Sequence, residues 1–330
     1  MDRIVEIARR RALPGSTFAL ILAIGVGAAP VAAERPMADP GGRVVDPAMD
    51  FRTETFPLQE LSYFKLPFND YAPPDLPLGG PGWEPTDKDG IKLRWWNGRL
   101  YYHPVELGLK TMRLLSGYRR TRNVKYLTWA KRYAAKIEEI SVRSDGAWFV
   151  PYHFYYSTER LEPPWYSGMS QGIILAAFVR LYHWTNDPSY LEKAHRLFAS
   201  FQRSGPSNRP WVSRISVYRY LWIEEYPRND RDDRVLNGFI FAVYGLYEYW
   251  QRTDRRAARR LLEGTLHTLK KWLHVYRVPG GVSYYCLYHK TRHASYHLVH
   301  LEQLRFLAAM SGDYFFTRTA DLWQADYDGT

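Results

Sequence analysis

The chain has 330 residues with 45 Lys and Arg against 34 Asp and Glu, a formal charge of +11, and 26 Tyr and 12 Trp. With 46% hydrophobic residues it can bury a core, which excludes a disordered chain, and the length allows one large domain or two small ones. The single cysteine excludes an intramolecular disulfide framework and an all-cysteine metal site.

Arg9, Arg10 and Arg11 precede an apolar run from Phe18 to Ala33, 16 residues long and broken by Pro30. A spanning helix needs about 20 apolar residues, so residues 1–33 have the layout of an export signal, with a membrane anchor if the segment stays uncleaved. Its removal takes four Arg, one Asp and one Glu, leaving +9. A strongly basic, Tyr- and Trp-rich chain suits either nucleic acid or an acidic glycan. Export favours an acidic polysaccharide and argues against nucleic acid.

Residues 34–92 are rich in Pro, Gly and Asp and lack sustained periodicity, so they read as an irregular lead-in lying over the body. From residue 93 to 330 four similar units follow. Each has two apolar-periodic stretches around a polar turn: Thr121-Arg122-Asn123, Thr185-Asn186-Asp187, Thr253-Asp254 and Ser311-Gly312-Asp313. Such turns end one helix and cap the next. The first helix of each pair is the more apolar and is assigned inside. Tyr-rich alternating segments at Trp148 to Tyr156, Ile215 to Tyr226 and Val282 to Tyr288 have strand character. The predicted fold is mainly α: an incomplete α/α toroid of about four helical hairpins, with short strands between them.

In a toroid, equivalent positions converge on one rim. The starts of the inner helices carry Tyr101-Tyr102-His103, Trp165-Tyr166 through Gln171, Asn237-Gly238 and Tyr296-His297 through His300. Tyr102, Trp165, Tyr166, Gln171, Asn237, His297 and His300 are therefore candidate substrate-binding residues. His297 and His300 have metal-ligand spacing, but no matching motif accompanies them and hydrogen bonding is the better reading. Alternation sends Glu224 and Glu225 to opposite faces, so they do not form a glycosidase carboxylate pair. Cys286 reads as a packed thiol.

Four ordered segments resemble the C-terminal domain of D-glucuronyl C5-epimerases: Trp165 to Gly172, Glu224-Glu225-Tyr226-Pro227, Val235 to Ile240, and Tyr296-His297-x-x-His300-x-x-Gln303-Leu304. Tyr101 to Leu109 is similar to an upstream stretch of that family. The resemblance implies an α/α barrel and inversion of C5 in the D-glucuronate units of a heparosan-like polysaccharide, giving L-iduronate. It places catalysis on Glu225, Tyr226, Tyr285 and Tyr296. The family's strand tyrosine is followed three residues later by an arginine; here Tyr288 stands there, leaving Arg292 or Lys290 to hold the substrate carboxylate. The β-rich domain of the vertebrate enzymes has no room in residues 34–92, and the family's metal site lies partly in it. No metal and no redox cofactor is therefore expected, and a homodimer is compatible with the reading. The alternatives are a polysaccharide lyase using the same C5 proton, and a non-catalytic binder of acidic glycans.

Overall fold

A computed structural model describes residues 49–69, 73–74, 76 and 85–329, together with the backbone of two paired two-residue strands, β1 (Met37–Ala38) and β2 (Val44–Val45). The export signal expected at residues 1–33 lies outside the described residues. Eight helices form four hairpins: α1 (Pro104–Thr121) with α2 (Val124–Ile140), α3 (Gly168–Thr185) with α4 (Pro188–Ala199), α5 (Leu236–Thr253) with α6 (Arg256–Tyr276), and α7 (Ala294–Ser311) with α8 (Tyr314–Asp328).

The hairpin turns repeat in atomic detail. Each first helix ends on a left-handed residue, Arg122, Asn186, Asp254 or Gly312, whose N–H bonds a carbonyl four residues back. Asn123, Asp187 and Asp313 then cap the next helix by accepting the N–H two residues on. Thr121, Thr185 and Ser311 also accept the N–H of those capping residues. The third turn departs from this pattern, because Arg255 stands at its N-cap and makes no side-chain cap bond.

Helices α1, α3, α5 and α7 pack in sequence as the inner ring, with α7 and α1 not in extended contact, so the ring is open. The first fourteen residues of α3 and the first fifteen of α5 are buried continuously, as inner helices must be. Their close crossing depends on Gly172 and Gly245: a Cβ on either would collide with the facing helix backbone. The outer helices are amphipathic.

The alternating segments form shorter strands than their sequence suggests. Hairpins β3–β4 (Arg94–Trp96 with Arg99–Tyr101), β5–β6 (Val142–Ser144 with Ala147–Phe149) and β7–β8 (Ser213–Ile215 with Leu221–Ile223) are each an isolated antiparallel pair. Residues 282–288 make only single bridges, Tyr284 to Arg292 and Cys286 to Val235.

The lead-in closes one end of the ring. Residues 49–69 run across the C-terminal ends of the inner helices, burying Met49, Phe51, Phe56 and Phe68 in the main core. Gln59 N–H donates to the Met310 carbonyl, Tyr247 donates to the Gln59 carbonyl, and Gln251 donates to the Leu61 carbonyl. At the centre, fully buried Arg180 pairs with Glu248 at 2.6 Å and donates to the Pro67 carbonyl and to Asn69. The opposite mouth, at the helix N-termini, is left for a site.

Candidate active site

A second aromatic cluster, separate from the main core, fills that mouth. Tyr152, Phe154, Tyr156, Leu161, Trp165, Tyr226, Val235 and Cys286 form it, with Trp96, Tyr101 and Tyr285 packed against it. Strand alternation explains the choice: Tyr152, Phe154 and Tyr156 share one face of an extended segment that bridges to Trp165 and Leu161. The Tyr152 ring lies flat on Trp165 at 3.8 Å, and Trp96 leans on Phe154 at 4.6 Å.

Glu225 is set into this cluster by the strand-like run that precedes α5. It is 5% exposed, and its neighbour Glu224 faces the other way, its carboxylate accepting the Arg234 N–H. Burial pushes the Glu225 carboxyl up to about 7, opposed by the hydroxyls of Tyr226 and Tyr285 and reinforced by Asp233. Glu225 Oε2 has no hydrogen-bond partner among the described residues. The Tyr226 and Tyr285 hydroxyls stand 3.5 Å apart, and the Tyr285 and Tyr296 rings lie 4.5 Å apart at 51°. Burial drives the Tyr226 and Tyr285 phenols far above their ordinary range and Tyr156 to about 12, so all three hold their protons at neutral pH. The arrangement is a carboxyl poised near neutrality beside proton-bearing phenols. His103, the residue before α1, packs on Tyr152 and Phe154 and is pushed down to about 3 by burial, so it is a neutral imidazole there.

The other predicted residues divide. Trp165 stands in the cluster. Asn237 lies in the first turn of α5, its Oδ1 buried without a partner among the described residues and its carbonyl accepting Gln303 Nε2 at 3.0 Å. Tyr102 points away, donating to Asp87 at 2.6 Å. Tyr166 packs on Phe149 at the main core. Gln171 is an internal brace, donating to the Trp148 carbonyl and Ser200 and accepting the Val150 N–H. His297 and His300 also face away. His297 Nδ1 accepts the Ser283 N–H at 2.9 Å while Nε2 donates to the Trp323 carbonyl, and the Ser283 hydroxyl lies 2.8 Å from His300 Nδ1. They tie the 283 loop to α7 and α8. The exposed Arg292 bridges to Tyr284, with its guanidinium beside Gly281. Tyr284 packs on the main core while Tyr285 packs on the aromatic cluster, so Arg292 is on the face away from Tyr285. Lys290 is exposed at the left-handed tip of the loop. Tyr288 carries the Arg231 guanidinium 4.4 Å over its ring. Sequence reasoning left Tyr152 and Tyr156 out of the site; the period of two from 152 to 156 was the available signal.

The D-glucuronyl C5-epimerase C-terminus family model matches residues 143–325, more than half of the chain. The chain belongs to this family. It is 28% identical over 253 residues to the D-glucuronyl C5-epimerase of Caenorhabditis elegans, covering 66% of this chain and 40% of that protein. An uncharacterized protein of Methanocaldococcus jannaschii is 26% identical over 176 residues, 52% of this chain and 56% of its own. The chain thus spans well under two thirds of either curated relative. Among solved structures, the cellobiose 2-epimerase of Bacillus thermoamylovorans superposes with a TM-score of 0.51 at 13% identity, over 68% of this chain and 59% of that one. That likeness is one of fold, the α/α toroid. The family match covers the loops that carry Glu225, Tyr226 and Tyr285 and the first turn of α7, which carries Tyr296.

Proposed function

We propose that this protein inverts C5 of D-glucuronate units in a heparosan-like acidic polysaccharide. The observation that carries the reading is Glu225: a carboxyl held near neutrality, with one oxygen unpartnered, inside a ring of protonated tyrosines. The C5 proton of a uronate lies α to a carboxylate, so its removal needs a base on one face and stabilisation of the enolate-like charge that develops. The Glu225 carboxylate takes that proton, with the electron pair of the C–H bond passing into the carboxylate system of the sugar. A phenol on the opposite face, assigned to Tyr296, then gives its proton to C5 and inverts the centre. A proton transfer from Glu225 to the resulting phenolate restores the starting state, so the cycle balances without a redox partner.

Two further features support an anionic sugar polymer. Trp96, half-buried where it leans on Phe154, offers an apolar face for a sugar ring, while Tyr152 and Trp165 stack on each other behind it. The N-termini of four inner helices converge on the mouth, and their partial positive charge favours an anion.

The test is NMR of heparosan incubated with the protein in deuterated water. Deuterium at C5 with formation of iduronate is the expected result. Growth of the absorbance of an unsaturated uronide would instead establish β-elimination. Absence of exchange over a panel of uronans would make the protein a binder.

A further inference from the structure

Behind the tyrosines, Glu159, Asp233 and His289 meet from three loops, with the Cys286 sulfur beside His289. Ligand atoms of Glu159, Asp233 and His289 all lie within 4.8 Å of one another. Cys286 Sγ is 3.5 Å from His289 Nδ1, which is itself 3.9 Å from Glu159 Oε1. A tetrahedral ion with sulfur at about 2.3 Å and imidazole nitrogen at about 2.0 Å sets those two atoms about 3.5 Å apart. Burial pushes the Cys286 thiol up to about 11, opposed by the His289 backbone N–H, which Sγ accepts at 3.3 Å.

Arg231 occupies one oxygen of each carboxylate and leaves the other. Its Nε donates to Asp233 Oδ1 at 2.7 Å and its Nη2 to Glu159 Oε2. Asp233 is completely buried, and among the described residues its Oδ2 has no donor apart from the Glu159 carboxyl, with which Asp233 shares a hydrogen bond. Burial and the neighbouring Asp233 push the Glu159 carboxyl up to about 8, so the two carboxyls hold one proton between them beside the Arg231 guanidinium. A divalent ion bound with the Cys286 thiolate takes the place of that carboxyl proton and of the thiol proton, and the charge sum stays at zero. Both protons leave to solvent, the sulfur lone pair goes to the ion, and nothing is oxidised or reduced. Mixed sulfur, imidazole and carboxylate donors suit zinc and its neighbours, whereas magnesium and calcium take oxygen ligands.

We propose that Glu159, Asp233, Cys286 and His289 form a structural site for a zinc-class divalent cation. The site ties together the three loops that bear Tyr156, Glu225 with Tyr226, and Tyr285. It stands on the geometry of these four residues and not on the epimerase reading.

The experiment is titration of the chelator-treated, full-length protein with cobalt(II) chloride, followed by displacement with zinc. Saturation at about one ion per chain is expected, with tetrahedral ligand-field bands and a sulfur-to-cobalt charge-transfer band that zinc abolishes. Cys286 is the only cysteine, so that band reports this site alone. Cys286→Ser should lose the band, and His289→Ala should weaken zinc binding about 10-fold or more. No saturable binding, or binding without the sulfur band, overturns the proposal on the unmodified protein, whatever the variants do. Unchanged zinc affinity in a folded His289→Ala variant overturns it as well.

Discussion

Gly238 and Glu225 are in direct apposition: a Cβ on Gly238 would come within 2.7 Å of both the Cβ and the carboxyl carbon of Glu225 and would collide with Oε2. The first turn of α5 therefore forms the wall against which the carboxyl rests. Gly238→Ala keeps a helix-compatible backbone and should displace Glu225 with the fold retained. Misplacement of a reacting group by about 1 Å can cost about 100-fold, and a loss of that order in C5 deuterium exchange is expected. Wild-type exchange in a variant with an unchanged melting curve would contradict this view of the wall.

Glu225→Gln keeps the shape and removes the base, and Tyr296→Phe keeps the ring and removes a proton donor. Each should lower exchange by about 100-fold or more, the usual scale for a general acid or base. Near-normal exchange in both would refute the site assignment. Tyr102→Phe is the control, since its hydroxyl is spent on Asp87 outside the cluster, and it should leave exchange within about 3-fold of wild type.

Exchange should rise with pH through about 7, because Glu225 acts as a base only once ionised and its carboxyl is raised to about 7. Stability moves the opposite way. The folded value exceeds the ordinary 4.5, so the contribution of Glu225 is fully present below 4.5 and is lost as pH rises through about 7. Glu225→Gln should accordingly melt closer to, or above, wild type at pH 8 than it does at pH 5. Thermal melts of the two proteins at both values, alongside a pH profile of exchange under limiting substrate, check both signs.

Arg180 sits far from the chemistry, in the floor that residues 49–69 make across the ring. Removing it leaves Glu248 buried without its counter-ion, and the Pro67 carbonyl and Asn69 deprived of a donor. Arg180→Met should cost about 3–5 kcal/mol in denaturant unfolding, whereas Arg180→Met with Glu248→Leu should recover most of it. If the single variant loses under about 1 kcal/mol, the floor is not anchored by this pair.

The helical hairpins were legible in the chain because their determinants are local. Thr121 and Asn123, Thr185 and Asp187, and Ser311 and Asp313 place a helix end, a left-handed residue and an N-cap within three positions. The opposite facing of Glu224 and Glu225 was legible for the same reason, as a consequence of strand alternation. The assignment of His297, His300, Gln171 and Tyr102 to the mouth was not secured by their position near helix starts. A rim places the backbone, but the direction of each side chain depends on partners distant in sequence. Ser283 draws the histidines inward, Trp148 and Ser200 hold Gln171, and Asp87 turns Tyr102 away.

The composition, basic and crowded with tyrosine, determined a globular chain with a surplus of aromatic faces, and the repeated two-helix units determined the toroid. Composition could not divide those tyrosines between core and site. Only the tertiary structure does so, because the division follows from burial beside Glu225. Tyr152, Tyr156, Tyr226 and Tyr285 are gathered from three loops around one carboxyl, and that shared desolvation sets the carboxyl near neutrality and keeps the phenols protonated. The same three loops bring Cys286 to His289, Glu159 and Asp233. That meeting depends on chain separations that no local pattern encodes.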